Sequence, residues 1–306
     1  MKSKILLLLQ QASEVISGEE LSQELQVSRV TIWKHIKALQ DKGYRILSGP
    51  KGYSYSADND FLFEWEFTDR QSQIHYFDSL PSTMSKAKEL ARDGAPDQSV
   101  VLADFQEQGR GRMQRIWYSA RGGLYFTLIL RPKIPATSAF LMNFITSTAL
   151  VETIRSQTGL NARVKWPNDI LIGERKLSGM LSELEASEEL VSFVNIGIGI
   201  NVNNDPTKEE KTATSIANEI GHKVKRRDLI TEFLDRLAGR LKNLEPENAV
   251  TEWKKYTMTL GRQVKIITLK ETAEGKAVDI DESGALILQQ EDGSLRKIIY
   301  GDCFHI

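Results

Sequence analysis

Residues 106–117 read Gln-Glu-Gln-Gly-Arg-Gly-Arg-Met-Gln-Arg-Ile-Trp. Glycine and arginine alternate over Gly109, Arg110, Gly111 and Arg112, and Arg115 follows three residues on. Glycine lets the backbone approach a ligand closely. Arginine offers a planar, always charged donor fork suited to phosphate or carboxylate. The flanking runs, 99–105 and 124–130, are apolar and β-prone, so the stretch reads as a loop between two strands of a buried sheet. Taken alone it fits two readings, an anion-holding loop and a solvated turn.

The rest of the chain sets the frame. Its 306 residues are enough for two or three domains. The net charge is −1, so no global charge selects a partner. Local charge does more: residues 28–55 hold six Lys or Arg against the single acid Asp41, a basic patch. Cys303 is the only cysteine, which excludes an intrachain disulfide framework and suits a reducing cytoplasm. The apolar run 5–9 is too short for a signal peptide, and no stretch is long enough to span a bilayer, so no membrane role is expected. The four histidines and Cys303 do not cluster as zinc ligands.

Residues 3–16 suit a short amphipathic helix, with Ile5, Leu6, Leu9, Val15 and Ile16 as its apolar positions. Ser17 with Glu20 predicts a capping box for a second helix over 18–25. Ser28 caps a third, to about Leu39, whose Ile32, Ile36 and Leu39 share one face. Residues 44–47 and 52–55, joined by Ser-Gly-Pro-Lys, predict a hairpin. Helix, helix-turn-helix and hairpin make a winged helix whose third helix suits a major groove. Ser28, Arg29, Thr31, Trp33, Lys34, Lys37 and Lys51 are the candidate DNA contacts. A protein-binding winged helix with an incidental basic face is the alternative. Residues 57–72 are polar with interspersed aromatics and read as a linker with room for a short helix.

Beyond it, a strand ending at Tyr76-Phe77 leads through a loop containing Ser82 and Thr83 into a helix at 84–92. Hydroxyls at such a junction commonly cap the helix. A helix is expected over 138–157, a turn at Asn168-Asp169, a strand over 170–172 and a β-run over 191–202. Gly197 and Gly199 inside that run suggest close approach by a ligand. Residues 204–215 read as a flexible loop, 227–244 as an amphipathic helix, and 252–256 as helical. From Leu260 short strands at 264–266, 274–277, 285–288 and 297–300 alternate with glycine turns, as in a small β-barrel.

The Gly-Arg loop, Lys-Trp-Pro-Asn-Asp at 165–169, Lys-Leu-Ser-Gly-Met-Leu at 176–181 and Gly-Ile-Gly-Ile-Asn-Val-Asn at 197–203 occur in this order and spacing. Together they resemble the catalytic domain of biotin protein ligases. With the winged helix, nearly the whole chain resembles the bifunctional bacterial biotin ligase and biotin-operon repressor family. The resemblance implies an α+β chain of three domains: a winged helix-turn-helix at 1–62, a mixed α/β ligase domain at 63–256 and an SH3-like β-barrel at 257–306.

It also implies the chemistry. Biotin's carboxylate attacks the α-phosphate of ATP, giving biotinyl-5′-AMP and pyrophosphate, and a lysine amine of a carboxylase's biotin carboxyl carrier domain then attacks the mixed anhydride, releasing AMP. Arg110, Arg112 and Lys176 would supply the cations this needs. Ser82, Thr83, Gln106, Arg110, Gly111, Arg112, Lys176, Gly179 and Gly199 would bind biotin. Arg112, Arg115, Trp117, Lys165, Asn168, Asn201 and Ser215 would bind the nucleotide. Asp169 would either steer nucleotide and Mg²⁺ or help deprotonate the incoming lysine. Loops 109–116 and 204–215 would act as lids. The adenylate would double as corepressor on operator DNA, with the ligand-bound chain a homodimer. Two other functions compete, a biotin sensor without ligase activity and a lipoate or octanoate ligase. Intact Arg110, Arg112 and Lys176 argue against the first, and the pairing of Lys-Trp-Pro-Asn-Asp with Gly-Arg-Gly-Arg argues against the second. The chain departs from the family's usual pattern at Met84, where Asn or Gln is frequent, and at Met113-Gln114, where Arg-Gly is frequent. The loss of that glycine should stiffen the loop's second half.

Overall fold

A computed structural model describes residues 1–12, 14–56, 59–243, 246–268 and 270–306, with the side chains of 246 and 247 excepted. Positions 13, 57, 58 and 244, which the sequence places in the first helix, the linker and a late helix, lie outside these residues. The chain forms two compact units, Met1–Ser72 and Gln73–Ile306.

The first unit holds α1 (Lys2–Gln11), α2 (Gly18–Leu25), α3 (Arg29–Asp41) and a hairpin of β1 (Ile46–Gly49) and β2 (Gly52–Tyr55). The capping box forms: Glu20 N donates to Ser17 Oγ at 3.0 Å and Ser17 N to the Glu20 carboxylate at 2.7 Å. Ile5, Leu6 and Leu9 of α1 are buried, as are Leu21, Ile32, Ile36 and Leu39 of the two helices after it. The first helix is shorter than its apolar pattern suggests. Val15 is exposed, and Ile16 pairs with Tyr53 of β2 in an antiparallel bridge. Gly52 makes that bridge feasible, because a Cβ there would sit 2.2 Å from the Ile16 carbonyl oxygen.

The stretch expected as a linker is folded instead. Phe63 and Trp65 stack at 4.6 Å, Phe61 packs on Tyr44 at 4.7 Å, and Trp65 Nε1 donates to the Tyr44 hydroxyl at 2.8 Å. Burial of these aromatic faces gives residues 59–66 a place on the winged helix, so the first unit runs past the expected boundary at 62.

In the second unit, β3 (Ile74–Phe77), α4 (Thr83–Arg92), β4 (Ser99–Ala103) and β5 (Leu124–Leu130) come first. They are followed by α5 (Phe140–Thr158), β6 (Ala162–Lys165), β7 (Asp169–Ile172), β8 (Arg175–Ser187) and β9 (Leu190–Ile200). The strands form one seven-stranded sheet in the order β3-β4-β5-β9-β8-β7-β6, parallel only between β3 and β4. Every residue of β5 is buried, which requires both faces of the sheet to be covered. On one face Ala87 and Ala91 of α4 meet Val101, Ile129 and Phe193. The chain continues through α6 (Ile216–Ile220), α7 (Arg226–Lys242) and α8 (Pro246–Lys254). On the other face Phe233 of α7 packs on Phe126 at 5.5 Å.

The C-terminal strands are β10 (Gln263–Ile267), β11 (Thr272–Ile280), β12 (Leu286–Gln289), β13 (Leu295–Ile298) and β14 (Asp302–His305). They form a five-stranded antiparallel sheet in the order β13-β12-β11-β10-β14. The sequence reading found four of these strands and missed β14.

Candidate active site

One cavity collects side chains from the β3–α4 turn, the Gly-Arg loop, β6 to β9, the 206–213 segment and β14. Its inner end is a relay of neutral groups. Gln106 Oε1 accepts from Thr83 N at 2.8 Å and from Thr83 Oγ1 at 3.0 Å, while Gln106 Nε2 donates to Ser119 Oγ at 2.9 Å. Thr127 Oγ1 donates to Thr83 Oγ1 at 2.9 Å. The capping alternative for Ser82 and Thr83 is therefore not what the fold uses. Ser82 stands at the N-cap of α4 without a side-chain cap bond, and its buried hydroxyl has no hydrogen-bond partner among the described residues. A buried, unpaired hydroxyl costs free energy until something bonds to it. Ser82 thus brings an unspent donor and acceptor to the cavity's inner end.

The floor is made of glycine. Gly179 and Gly199 face each other across β8 and β9. A Cβ on Gly199 would meet the Trp117 indole at 2.3 Å, and one on Gly179 would meet it at 3.0 Å. Only bare backbone admits the ring this closely. Gly197 does the same for Met84, whose sulfur lies 2.7 Å from where a Cβ would stand. Trp117 Nε1 is buried without a partner among the described residues, and the Lys176 ammonium lies 5.6 Å from the indole centre.

The open end is cationic. Lys176 pairs with Asp169 at 2.8 Å. Arg110 pairs with Glu183 at 2.7 Å, and Arg115 forms an ion pair with Asp302. Among the described residues Arg112 donates only to neutral oxygens, Asn168 Oδ1 and the Gly301 carbonyl, each at 2.9 Å. Burial lowers the Arg112 pKa, Asp169 opposes that shift and Arg115 adds to it. The guanidinium nevertheless stays charged at neutral pH, so its charge is left for an anion in the cavity. Asn168 is itself anchored, its side-chain amide donating to the Met180 carbonyl. Lys165 and Asn201 complete the cationic and polar lining, and Gly111 lies against the loop's turn. That turn is tight: Gly111 N donates to Arg115 O at 2.8 Å, and Met113 and Gln114 take φ of 51° and 60°. Left-handed backbone at two successive L-residues is strained. Gln114 stands where a glycine would carry that conformation freely.

Two expectations need amending. Ser215 does not line the cavity; it is fully buried and caps α6 by accepting from Asn218 N at 3.3 Å. Segment 204–215 is pinned rather than free. Lys176 N donates to Thr212 O and Thr214 N to Lys176 O, each at 2.9 Å, and Asn204 Oδ1 accepts from Val202 N at 3.0 Å. The sequence reading also missed Asp302, Cys303 and Phe304, which β14 brings to the lining. Burial pushes the Cys303 thiol up to about 11, partly offset by Lys165, so it is a neutral wall group at pH 7 rather than a nucleophile.

Asp169 is the candidate metal ligand, and Lys176 occupies it. Among the described residues no group of three or more His, Cys, Asp or Glu could hold a metal. Mg²⁺ commonly needs only one or two carboxylates besides substrate phosphates. Asp169 therefore fits a metal carried in on phosphates.

The DNA-contact candidates lie together in the first unit. Ser28 Oγ accepts from Thr31 N at 3.2 Å and bonds the Thr31 hydroxyl at 2.9 Å, fixing the start of α3. Arg29, Trp33, Lys34, Lys37 and Lys51 are exposed.

The biotin/lipoate A/B protein ligase family matches residues 76–201, a helix-turn-helix domain family matches 2–54, and the biotin protein ligase C-terminal domain family matches 259–306. The bifunctional ligase/repressor BirA of Bacillus subtilis is 36% identical, over 98% of this chain and 97% of its own length. The chain belongs to the bifunctional ligase/repressor branch of the biotin protein ligase family. The same branch includes the Escherichia coli BirA, 29% identical over 94% of this chain and 92% of its own. Among solved structures, the Aquifex aeolicus biotin protein ligase in complex with biotin and ATP is similar at a TM-score of 0.65 and 26% identity. It covers 76% of this chain and 98% of its own. The family's α+β architecture, with a helix-turn-helix domain ahead of the ligase domain and a β-rich domain after it, is the one found here.

Proposed function

We propose that the chain makes biotinyl-5′-AMP from biotin and ATP and transfers biotin to a lysine of a carboxylase carrier domain. Its winged helix would bind operator DNA in response to biotin. The observation that carries the ligase reading is one cavity with a neutral hydrogen-bonding inner end, a glycine floor and a cationic mouth. Biotin is an apolar bicycle with one urea and one carboxylate. Ser82, Thr83 and Gln106 are the inner-end groups for the urea. Arg110, Arg112 and Lys176 stand at the mouth, where the carboxylate must meet the α-phosphate.

Two anions approach in that step, and negative charge builds at phosphorus. Preorganised cations stabilise it without reorganising. Arg112 is the best prepared, since its bonds to Asn168 and Gly301 aim it and leave its charge unspent. The Lys176 ammonium keeps further donors for an anion beside its bond to Asp169, whose carboxylate would accept a proton from the incoming lysine. Mg²⁺ would enter with ATP and screen its phosphates. Arg115, Lys165, Asn168 and Asn201 would hold the nucleotide, while Trp117 would separate its base from the floor.

On this reading the protein works in the cytoplasm. No helix among the described residues is long and apolar enough to cross a membrane. The closed loop would present Met113, Gln114 and Ile116 to a second copy; Met113 and Ile116 are 41% and 67% exposed. A dimer brings two winged helices to two half-sites. The deciding assay is ATP- and biotin-dependent labelling of a carrier domain, followed by operator binding with and without biotin plus ATP. Labelling with ligand-independent DNA binding would leave an enzyme with an unregulated reader. No labelling would leave only a sensor.

A further inference from the structure

The outer face of α3 carries two large apolar side chains that the fold leaves in water. Ile32, Ile36 and Leu39 turn inward, whereas Val30 is 61% and Trp33 56% exposed. Arg29, Lys34 and Lys37 are exposed around them, because residues three and four apart are neighbours on a helix. Val30 and Trp33 also line a groove whose other wall is the wing turn, with Pro50 and Lys51. The indole therefore lies between cations on the helix and a cation on the wing. Two of the helix cations have acids nearby, Arg29 with Glu19 at 3.9 Å and Lys37 with Asp41 at 3.3 Å. Exposed pairs of this kind hold little free energy and yield readily to phosphate.

A partner for this face must be anionic at its rim and apolar at its centre. The major groove of DNA meets both conditions. Phosphates border it, and the thymine 5-methyl is the apolar group on its base edges. We propose that Val30 and Trp33 read thymine 5-methyl groups, with Arg29, Lys34, Lys37 and Lys51 on the flanking phosphates. This rests on the operator-binding reading and goes beyond it by naming the base and the side chains that select it.

Deoxyuridine differs from thymine by that methyl alone and so isolates the contact. The full-length chain, with biotin and ATP, selects duplexes from a random-sequence pool. The enriched duplex is then resynthesised with deoxyuridine at each thymine in turn. At the few adjacent positions under α3, loss of the methyl weakens binding about fourfold, the value of one buried carbon; elsewhere it changes nothing. Trp33→Ala and Val30→Ala each weaken binding to the thymine duplex and abolish the thymine–deoxyuridine difference at one position. Both side chains are exposed, so the variants melt with the wild type. Equal affinity for thymine and deoxyuridine duplexes overturns the proposal and leaves operator binding standing. An equal loss on both duplexes in Trp33→Ala does the same, since it assigns the indole to the backbone. Failure to enrich any sequence overturns both readings.

Discussion

The Lys176 ammonium lies 2.8 Å from the Asp169 carboxylate, across the irregular pairing of β7 and β8. On the proposed mechanism the pair holds the Lys176 cation in place before any anion arrives. Removing one preorganised charge contact commonly costs about 10²–10³ in rate. Lys176→Ala should lower pyrophosphate release by that factor at saturating biotin. Asp169→Asn should spare adenylation more than transfer. A near-wild-type Lys176→Ala would remove this lysine from the site.

The glycine floor gives a second expectation. A Cβ on Gly199 would need the Trp117 ring to move from 2.3 Å. Gly199→Ala should therefore weaken biotin binding by about tenfold or more, as small displacements in a positioned site do. Its melting temperature should fall as well, since the added methyl overpacks a buried strand, so affinity is read well below the melting transition. Titration calorimetry with biotin alone reads this, and unchanged affinity would place the ligand elsewhere.

Asp302 holds Arg115 from the C-terminal sheet. Asp302→Ala should raise the KM for ATP several-fold and leave that for biotin unaltered, because the Ser82–Gln106 end is untouched. Equal changes in both constants would instead indicate a general loosening of the domain.

Removing residues 1–72 should leave a folded ligase, since every cavity-lining residue lies beyond Ser82 or is Ser82 itself. Pyrophosphate release should persist while DNA binding vanishes. A folded but inactive truncation would show that the first unit completes the site.

Acid stability offers a control remote from the cavity. Burial tends to raise the Asp281 pKa, but bonds from Lys297, Ser283 and Ala285 outweigh it and take the group down to about 2 from 3.8. A depressed carboxyl stabilises the fold above its unfolded pKa and loses that contribution as pH falls through the folded one. Asp281→Asn should cost about 1 kcal/mol at pH 7, discounted for exposure. The gap from wild type should close between about pH 4 and pH 2. A gap constant with pH would assign the loss to packing.

Most of this architecture was legible in local pattern. Ser17 with Glu20, the 32-36-39 spacing and the apolar run of β5 each carry their own periodicity. So do the Gly-Arg loop and the glycines of β9. What was not legible depends on contacts distant in sequence. Nothing near Phe63 or Trp65 announces Tyr44 as their platform. Nothing in the Asp-Cys-Phe-His run of β14 shows that it will wall a cavity begun at Ser82. Ser215 resembled a ligand hydroxyl and proved to be a helix cap, because the two uses share one short polar residue at a helix start.

The bond from Arg112 to the Gly301 carbonyl joins positions 189 apart in the chain. Synthesis runs from the N-terminus, and domains generally fold as they emerge. The residues proposed for biotin end at Gly199, so all of them are synthesised well before Gly301 and Asp302, which hold Arg112 and Arg115 from the C-terminal sheet. A chain ending ahead of Gly301 and β14 would carry every proposed biotin group yet lack one contact of Arg112 and the ion pair of Arg115. The last strand thus couples completion of the chain to completion of its phosphate-facing end.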